Sequence, residues 1–589
     1  MKTHFFILIF SLPLFGQQSL FSDQSSGLPL ASTYYGNHGV SVIDFDKDGW
    51  DDIFFANIAQ TYTADTSFCV LLKNNKNGTF TNVTSAAKLK IFGSYKSGVW
   101  GDINNDGYVD LFLAEAYGQG RCHLFINKKD GTFQDQSTDC GINFVSTAAI
   151  AAFGDYNNDG TLDLFLATEY PEPDHLYKNI SNGSTILFQD VTTKAGIAGA
   201  ADTSPMQVTF IDYDNDGDLD IYKVHDGFLE SNLFSNNGDG TFTDVSHLTG
   251  LHDYGAGNSM GVYWKDFDFD GWEEVYITRI GKGGLYKRQS NGVYKNVAES
   301  LGVQLNGMSW GIVWEDFDND MDNDLYMINT YGFNGLANLY YEFANGTFLE
   351  KSAQYQLNYP YSFYGLAAGD FNNDGYIDMV ASATDGNNKL LLNTKQKSGN
   401  WFKLSLTGVS INAMAVGAKV TVVAGGKRQT ERVTAGNGYA SQMSPVLHFG
   451  LGSLTTIDTL EIMWSKNNIQ KFTTVGVNVN YRLTEGSSLV TAVPDKEHNT
   501  IPDGYSLGQN FPNPFNPSTT ISYQMKQGGF VSIIIFDILG RTKQTVVNTI
   551  KESGYHSVSF DASLLPTGIY YYRMQTGDFH ETKKMVYLK

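Results

Sequence analysis

The chain has 589 residues, with 62 acidic against 40 basic side chains and a formal net charge of −22. That balance excludes a nucleic-acid binder, which needs a basic footprint, excludes docking by charge on anionic lipid, and points to bound cations. With 42% hydrophobic residues, 61 glycines and 3 cysteines, the chain can bury sizeable cores, is rich in turns and lacks a disulfide framework.

At the N-terminus, Lys2 and His4 precede an apolar run from Phe5 to Phe15, followed by Gly16. The run is too short to span a bilayer and has the length of a signal-peptide apolar region, so residues 1–16 are expected to direct export. No other segment approaches transmembrane length.

Residues 17–397 are dominated by an internal repeat. The stretch Asp44-Phe-Asp-Lys-Asp-Gly-Trp-Asp-Asp52 recurs with first residues Asp102, Asp155, Asp212, Asp266, Asp316 and Asp370, at intervals of 50–58 residues. Each copy lies between two short apolar strands, followed by a variable loop, a third strand ending near an Asn, and a Gly-Thr-Phe turn such as Gly78–Phe80 or Gly131–Phe133. Four strands of about 5–6 residues plus turns make one propeller blade. Seven copies therefore predict an all-β, seven-bladed β-propeller. The last copy lacks its Gly-Thr-Phe strand, while Phe21–Ser25 resembles Phe133–Ser137. Residues near 19–26 are expected to complete the last blade and close the ring, which removes exposed sheet edges. Cys69 and Cys122 occupy equivalent repeat positions, which disfavours a bond between them. A Cys122–Cys140 bridge and free buried thiols both stay open.

Each acidic stretch places oxygen side chains at positions 1, 3, 5 and 9, with Gly usually at 6. The candidate metal ligands are Asp44, Asp46, Asp48 and Asp52; Asp102, Asn104, Asp106 and Asp110; Asp155, Asn157, Asp159 and Asp163; and Asp212, Asp214, Asp216 and Asp220. The remaining three sets are Asp266, Asp268, Asp270 and Glu274; Asp316, Asp318, Asp320 and Asp324; and Asp370, Asn372, Asp374 and Asp378. This is the opening of a calcium loop, because Ca²⁺ takes about six to eight oxygens and Gly permits the sharp turn. Position 12 is Phe55, Leu113, Leu166, Lys223, Ile277, Met327 or Ala381 rather than Glu, and the flanks read as strands, so the loops are not EF-hands. Together the seven loops carry −28, leaving +6 for the rest, and seven Ca²⁺ would bring the chain from −22 to −8. The sixth loop has Met321 in the Gly position. Its side chain resists φ > 0, so this site is expected to be the weakest or differently shaped. These residues resemble FG-GAP/VCBS repeats, the blades of integrin α-subunit propellers and of many bacterial surface proteins. The resemblance implies up to seven structural Ca²⁺ bracing one face of the disc.

The loops on the opposite face are long and aromatic. Tyr117, Tyr170, Phe228, Tyr254, Trp310, Tyr331 and Tyr364 are the candidate ligand-face residues, able to stack sugar rings or grip a peptide. The alternative is that they pack between blades. Two strings, Gly257–Gly261 and Gly307–Gly311, match G-x-S-x-G, yet each Ser lies seven residues before its acidic loop with no helix following. A nucleophile elbow needs a strand-turn-helix. The loop from Glu169 to His175 lacks metal-ligand spacing, and the 11 His show no zinc pattern. No catalytic residue is identified, and a non-enzyme is expected. The rival reading is a polysaccharide lyase or glycosidase, which needs two carboxylates or a Tyr/His pair converging at the centre of this face.

From residue 398 the acidic loops stop and strands such as Trp401–Gly408, Gly417–Val423 and Leu460–Trp464 alternate with Gly-rich turns, predicting a β-sandwich over 398–486. Val416–Ala418, Gly438–Gln442 and His448–Gly452 resemble the ASPIC/UnbV domain. His448 reads as a structural strand-end residue. A linker, 487–502, leads to Asn510-Phe-Pro-Asn-Pro-Phe-Asn-Pro-Ser-Thr519, Val531–Gly540, Gly568–Arg573 and Lys583–Lys589. Residues 503–589 strongly resemble the type A sorting domain of the type IX secretion system, an Ig-like β-sandwich. That resemblance implies the secretion machinery as a partner and a secreted or surface-attached product. The expected function is non-catalytic binding of an extracellular polysaccharide or protein, with no nucleic-acid partner.

Overall fold

The computed structural model describes residues 19–30, 37–58, 68–116, 121–142, 148–169, 173–182, 185–197, 204–227, 229–252, 258–383, 387–395, 399–491, 504–508, 510, 513–551 and 553–588. The signal segment and the ligand-face residues Tyr117, Tyr170, Phe228 and Tyr254 lie outside them. The chain forms two compact units, Met1–Ala492 and Val493–Lys589.

The first unit contains seven four-stranded antiparallel blades. Blade 1 runs Asn37–Ile43, Asp52–Asn57, Val70–Asn74 and Phe80–Asn82 in consecutive order, and blades 2, 3 and 4 repeat this order. The first strands of the seven blades pack against one another in a closed circle, so they are innermost. Strands are buried on both faces because each blade is sandwiched between two others: Asp52–Asn57 and Asp110–Glu115 are buried at every residue. Closure comes from Phe21–Asp23, which pairs antiparallel with the third strand of blade 7, Phe21 opposite Asn393. The last blade is thus built from both ends of the propeller sequence, as the displaced strand implied. Blades 5 and 6 merge into one eight-stranded sheet, because Ile280–Lys282 extends to pair with Asn306–Met308.

Residues from 400 to 491 add two four-stranded sheets. One is built from Leu447–Gly452, Asn400–Thr407, Val479–Thr484 and Val490–Thr491, the other from Lys427–Arg432, Lys419–Ala424, Thr456–Ser465 and Asn468–Gly476. Alternation along Thr456–Ser465 buries Ile457, Leu460, Ile462 and Trp464 between them. The second unit is a smaller sandwich, with Ile521, Tyr523, Val531, Ile533, Ile535, Tyr572 and Met585 in its core. Cys69, Cys122 and Cys140 are buried and in no disulfide, which decides the pairing left open by sequence.

Candidate functional site

All seven acidic loops share one backbone. Position 4 is left-handed in each (Lys47, Asn105, Asn158, Asn215, Phe269, Asn319 and Asn373, φ 53–63°), and so is position 6, at φ 76–92°. Position 1 folds back on the loop. Asp44 Oδ1 and Oδ2 accept from the backbone N–H of Asp48 (2.9 Å) and Gly49 (2.8 Å), and Asp102, Asp155, Asp316 and Asp370 repeat the pattern. Position 9 is fully buried and ties the loop to the third strand: Asp52 accepts from Phe45 N (3.3 Å) and Asn74 N (2.7 Å).

The sixth loop departs from one of its two expected alternatives, a different shape. Met321 takes φ 76° and donates its N–H to Asp316 Oδ2 at 2.8 Å, as Gly does elsewhere, so this loop is not differently shaped. Burial of the Met321 side chain in the core shared with the sandwich offsets the strain of the left-handed backbone.

Carboxylate oxygens converge within 4.8 Å in four loops, on Asp44/Asp46/Asp48, Asp212/Asp214/Asp220, Asp266/Asp268/Glu274 and Asp316/Asp318/Asp320. The second, third and seventh loops carry Asn at position 3 and so present fewer charges. The donor set is all oxygen, as a hard cation requires. Several of these oxygens lack protein donors although buried, among them Asp46 Oδ1, Asp266 Oδ1 and Glu274 Oε2. Burial, reinforced by neighbouring carboxylates, pushes Asp44 and Asp266 up to about 7 and Glu274 up to about 9. Such crowding of acids away from water is costly without a compensating cation. Lysines supply part of it: Lys73 reaches Asp46 and Asp48, Lys178 reaches Asp159 (3.0 Å), Lys287 reaches Asp268, Asp270 and Glu274, and Lys395 reaches Asp374 (3.0 Å). The sequence reading missed these lysines; a Lys one residue before the third-strand Asn (Lys73, Lys178) was the available signal.

The sandwich lies over this loop face. Lys403 bonds Asp370 Oδ2 at 2.7 Å, Arg432 meets Glu273 (3.2 Å) and Asp212 (3.4 Å), and Lys419 donates to Asn215 Oδ1 (2.7 Å). Lys265 is buried between Glu315 (2.9 Å) and Glu431 (2.6 Å). Burial, opposed by the Lys265 ammonium, leaves the Glu431 carboxyl well above its usual range. His448 Nε2 sits 3.1 Å from the Gly375 carbonyl, and burial drops it to about 4. A cavity of about 70 Å³ lined by Asp51, Lys265, Glu315, Lys403 and Glu431 remains between the sandwich and the loops.

From the sandwich, residues 434–446 pass down the axis of the propeller. Ala435 O accepts from Phe153 N (3.4 Å), and Gly438 N donates to Val262 O (2.9 Å). Ala440 N donates to Gln207 Oε1 (3.0 Å), and Gln442 exchanges backbone bonds with Val40 and Val42. The Gln442 side chain accepts from Trp100 N (2.8 Å) and donates to Trp100 O (3.1 Å), and Ser444 N reaches Ala368 O. A Cβ on Gly39 would overlap the Ala440 carbonyl oxygen, so glycine there lets the segment touch the wall. Nothing in periodicity announces this plug.

The plug determines what happens to the candidate ligand face. Trp310 is 8% exposed and Tyr364 half-buried; Trp310 packs on Tyr439 and on Tyr364, each with ring centroids 4.8 Å apart. His38 stacks on Tyr364 (4.9 Å) and lies 3.5 Å from the Tyr439 hydroxyl. Tyr331 is 38% exposed, on the one-turn helix Tyr331–Asn334 beside Phe333, which is 57% exposed.

With this geometry in place, comparisons with known proteins agree on three modules. Residues 44–113, 102–166, 155–222 and 316–381 match the FG-GAP-like repeat, 408–490 match the ASPIC and UnbV family, and 509–588 match the secretion system C-terminal sorting domain. The chain thus carries FG-GAP repeats, an ASPIC/UnbV domain and a type IX sorting domain, which marks it for export to the cell surface or the medium. It is similar to cartilage acidic protein 1 of Xenopus tropicalis, 25% identical over 80% of this chain and 67% of that protein. The human cartilage acidic protein 1 is 23% identical over 80% of this chain and 66% of its own length. Among solved structures, an Agrocybe aegerita lectin recognising non-reducing terminal N-acetylglucosamine aligns at 16% identity and TM-score 0.35, covering 62% of this chain and 88% of the lectin. PorZ, a surface component of the type IX secretion system of Porphyromonas gingivalis, aligns at 9% identity and TM-score 0.20, over 94% of this chain and 82% of PorZ. Likeness at that level carries no functional argument. Among the described residues, no helix is long and apolar enough to cross a membrane.

Proposed function

We propose that this exported protein is a calcium-stabilised propeller acting as a non-catalytic binding module for a polysaccharide or protein outside the cell. The observation that carries the calcium reading is the set of buried loop carboxylates without donors, Asp46 Oδ1, Asp266 Oδ1 and Glu274 Oε2, in an all-oxygen environment. Positions 1, 3, 5 and 9 of each loop would hold the ion, which supplies positive charge to groups that burial otherwise drives towards protonation. Ligand binding is assigned to the face away from the sandwich, where Tyr331 and Phe333 are exposed. Sugar rings stack on such aromatics, and peptides pack against them.

The lyase or glycosidase reading finds less support. Its Tyr/His pair exists as Tyr439 of the plug and His38 of the blade 1 wall, but they are 1% and 7% exposed and face each other where plug and wall meet. A thermal melt of the full chain in EDTA and in millimolar calcium, read beside bound-metal stoichiometry, tests the first half. A large calcium-dependent rise with several ions per chain is expected; no shift and no bound calcium would reduce the loops to turns. A glycan and protein array with calcium present tests the second. Binding lost in Tyr331→Ala with an unchanged melt is expected, whereas turnover of a polysaccharide would refute a non-enzyme.

A further inference from the structure

We propose that the seven metal loops are wired neighbour to neighbour into one linear array, running from blade 6 through blades 7, 1, 2, 3 and 4 to blade 5, so that cations fill it cooperatively. The inference rests on the calcium reading of the loops.

Two independent sets of ties carry it. The left-handed turn at position 4 directs that side chain out of its own loop and onto the next. Asn319 Nδ2 donates to Gly375 O (3.1 Å), Asn373 to Gly49 O (3.0 Å), Asn105 to Gly160 O (2.7 Å), and Asn215 to Gly271 O (3.2 Å). Asn158 donates to the Asp218 carboxylate of the following loop (2.7 Å), and the Lys47 ammonium lies 5.1 Å over the Tyr108 ring. The second set comes from the third strand. Asn74 Nδ2 bridges its own loop at Asp51 O (3.1 Å) and the preceding loop at Phe371 O (2.8 Å). Asn127, Asn179, Asn236 and Asn393 bridge in the same way, reaching Phe45, Ile103, Tyr156 and Phe317 carbonyls at 2.7–2.9 Å. In blade 5 the Tyr294 hydroxyl takes over, placed within 3.4 Å of Tyr213 O and 3.3 Å of Glu273 O.

Both sets fail at the same seam. Between blades 5 and 6 the position-4 residue is Phe269 and the third-strand position is Phe343, and neither side chain carries a donor. That seam is held by other means: the pairing of Ile280–Lys282 with Asn306–Met308, the stacking of Phe267 on Trp314 at 5.2 Å, and bonds from Lys265 (2.9 Å) and the Tyr263 hydroxyl (2.8 Å) to Glu315, which joins the strands leading into the two loops rather than the loops themselves.

A cation bound through positions 1, 3, 5 and 9 fixes position 4 and the position-2 carbonyl between them. Both are the points where ties attach. Ordering one loop therefore presents its neighbour's position-6 carbonyl and third-strand Asn already ordered, so the next ion has less freedom to remove. Coupling of this kind is reciprocal and amounts to about fivefold or more in affinity per tie.

The test is a calcium titration of the full chain after chelator treatment, followed by calorimetry and by amide hydrogen exchange at each loop. Wild type should fill more steeply than independent sites, with each tied pair of neighbours from loop 6 through 7, 1, 2, 3 and 4 to loop 5 gaining protection together and loops 5 and 6 showing no direct coupling to each other. Asn105→Leu and Asn373→Leu, which remove ties but no ligand, should flatten the isotherm and weaken the adjoining loops about fivefold while the ion count holds. Phe269→Asn, which supplies the missing donor, should link loops 5 and 6 and guards against a Leu variant that fails to fold. Uptake at full stoichiometry with independent filling in wild type and all variants would overturn the coupling and leave the calcium reading intact. Absence of any uptake would overturn the calcium reading, and the array with it.

Discussion

Replacing Gln442 by Met isolates the grip of the plug on the propeller wall. Gln442 and Trp100 are both fully buried, and the two side-chain bonds from Gln442 are the partners of the Trp100 N–H and carbonyl. Met conserves volume and leaves the backbone bonds of residue 442 to Val40 and Val42 in place, so little cavity term enters. What remains is two buried backbone groups without partners, each costing about 1–3 kcal/mol, or about 2–6 kcal/mol together. Urea unfolding of the full chain followed by tryptophan fluorescence reads this cleanly, because all 8 tryptophans lie between Trp50 and Trp464 and the sorting unit has none. Exchange at the Trp100 amide should accelerate in parallel. A loss below about 1 kcal/mol with Trp100 still protected would mean that the wall does not depend on the plug, and the reasoning about an axial support would fail.

Three further outcomes follow from the same geometry. Met321→Gly relieves a left-handed backbone worth about 1 kcal/mol but exposes a core site worth about 1.5–3 kcal/mol; a net loss of about 1 kcal/mol is expected in the same urea titration, and a gain would refute the compensation. Lys403→Met leaves the buried Asp370 carboxylate without its ammonium, so destabilisation should be greater in EDTA than in saturating calcium; equal losses in both would separate Lys403 from any cation held by the seventh acidic loop. Burial first, and then the Lys96 charge, pushes His38 down to about 3, so the folded state holds fewer protons there than the unfolded chain between pH 6.5 and 3. Its contribution is therefore constant above pH 6.5 and is lost as pH falls below it. His38→Phe keeps an aromatic surface against Tyr364 and should flatten the acid limb of the stability curve; an unchanged slope would place the acid sensitivity elsewhere.

The propeller was legible because its signal is repeated: seven acidic loops in one register, and a strand missing at one end and present at the other. Local chemistry fixes such features. Met321 misled because steric resistance to φ > 0 is a local rule, and the burial that offsets it comes from a sandwich about 130 residues further along the chain. The candidate ligand face was only partly legible for a related reason. An aromatic in a loop carries the same sequence signal whether it faces water, as Tyr331 does, or a plug, as Trp310 does. The discriminating partner, Tyr439, lies in a Gly-rich stretch with no period to read.

That plug also restricts where the molecule can act. A propeller with an open axis can take a ligand in its central channel, where inner-strand residues from every blade converge. Here the converging positions are spent: Val40, Trp100, Phe153, Gln207 and Val262 bond the segment from Ala435 to Gln442, and Trp310 packs on Tyr439. The opposite face of the disc is covered by the sandwich through Lys403, Arg432 and Lys419. Among the described residues, exposed aromatics remain on the face away from the sandwich, at Tyr331 and Phe333. There the exposed helix Tyr331–Asn334 sits on blade 6, beside the one seam whose acidic loops lack the position-4 and third-strand ties. A ligand gripping blades 5 and 6 would thus bear on the seam held by strand pairing rather than by the ties between loops. Its binding should depend on calcium less steeply than the stability of the propeller does.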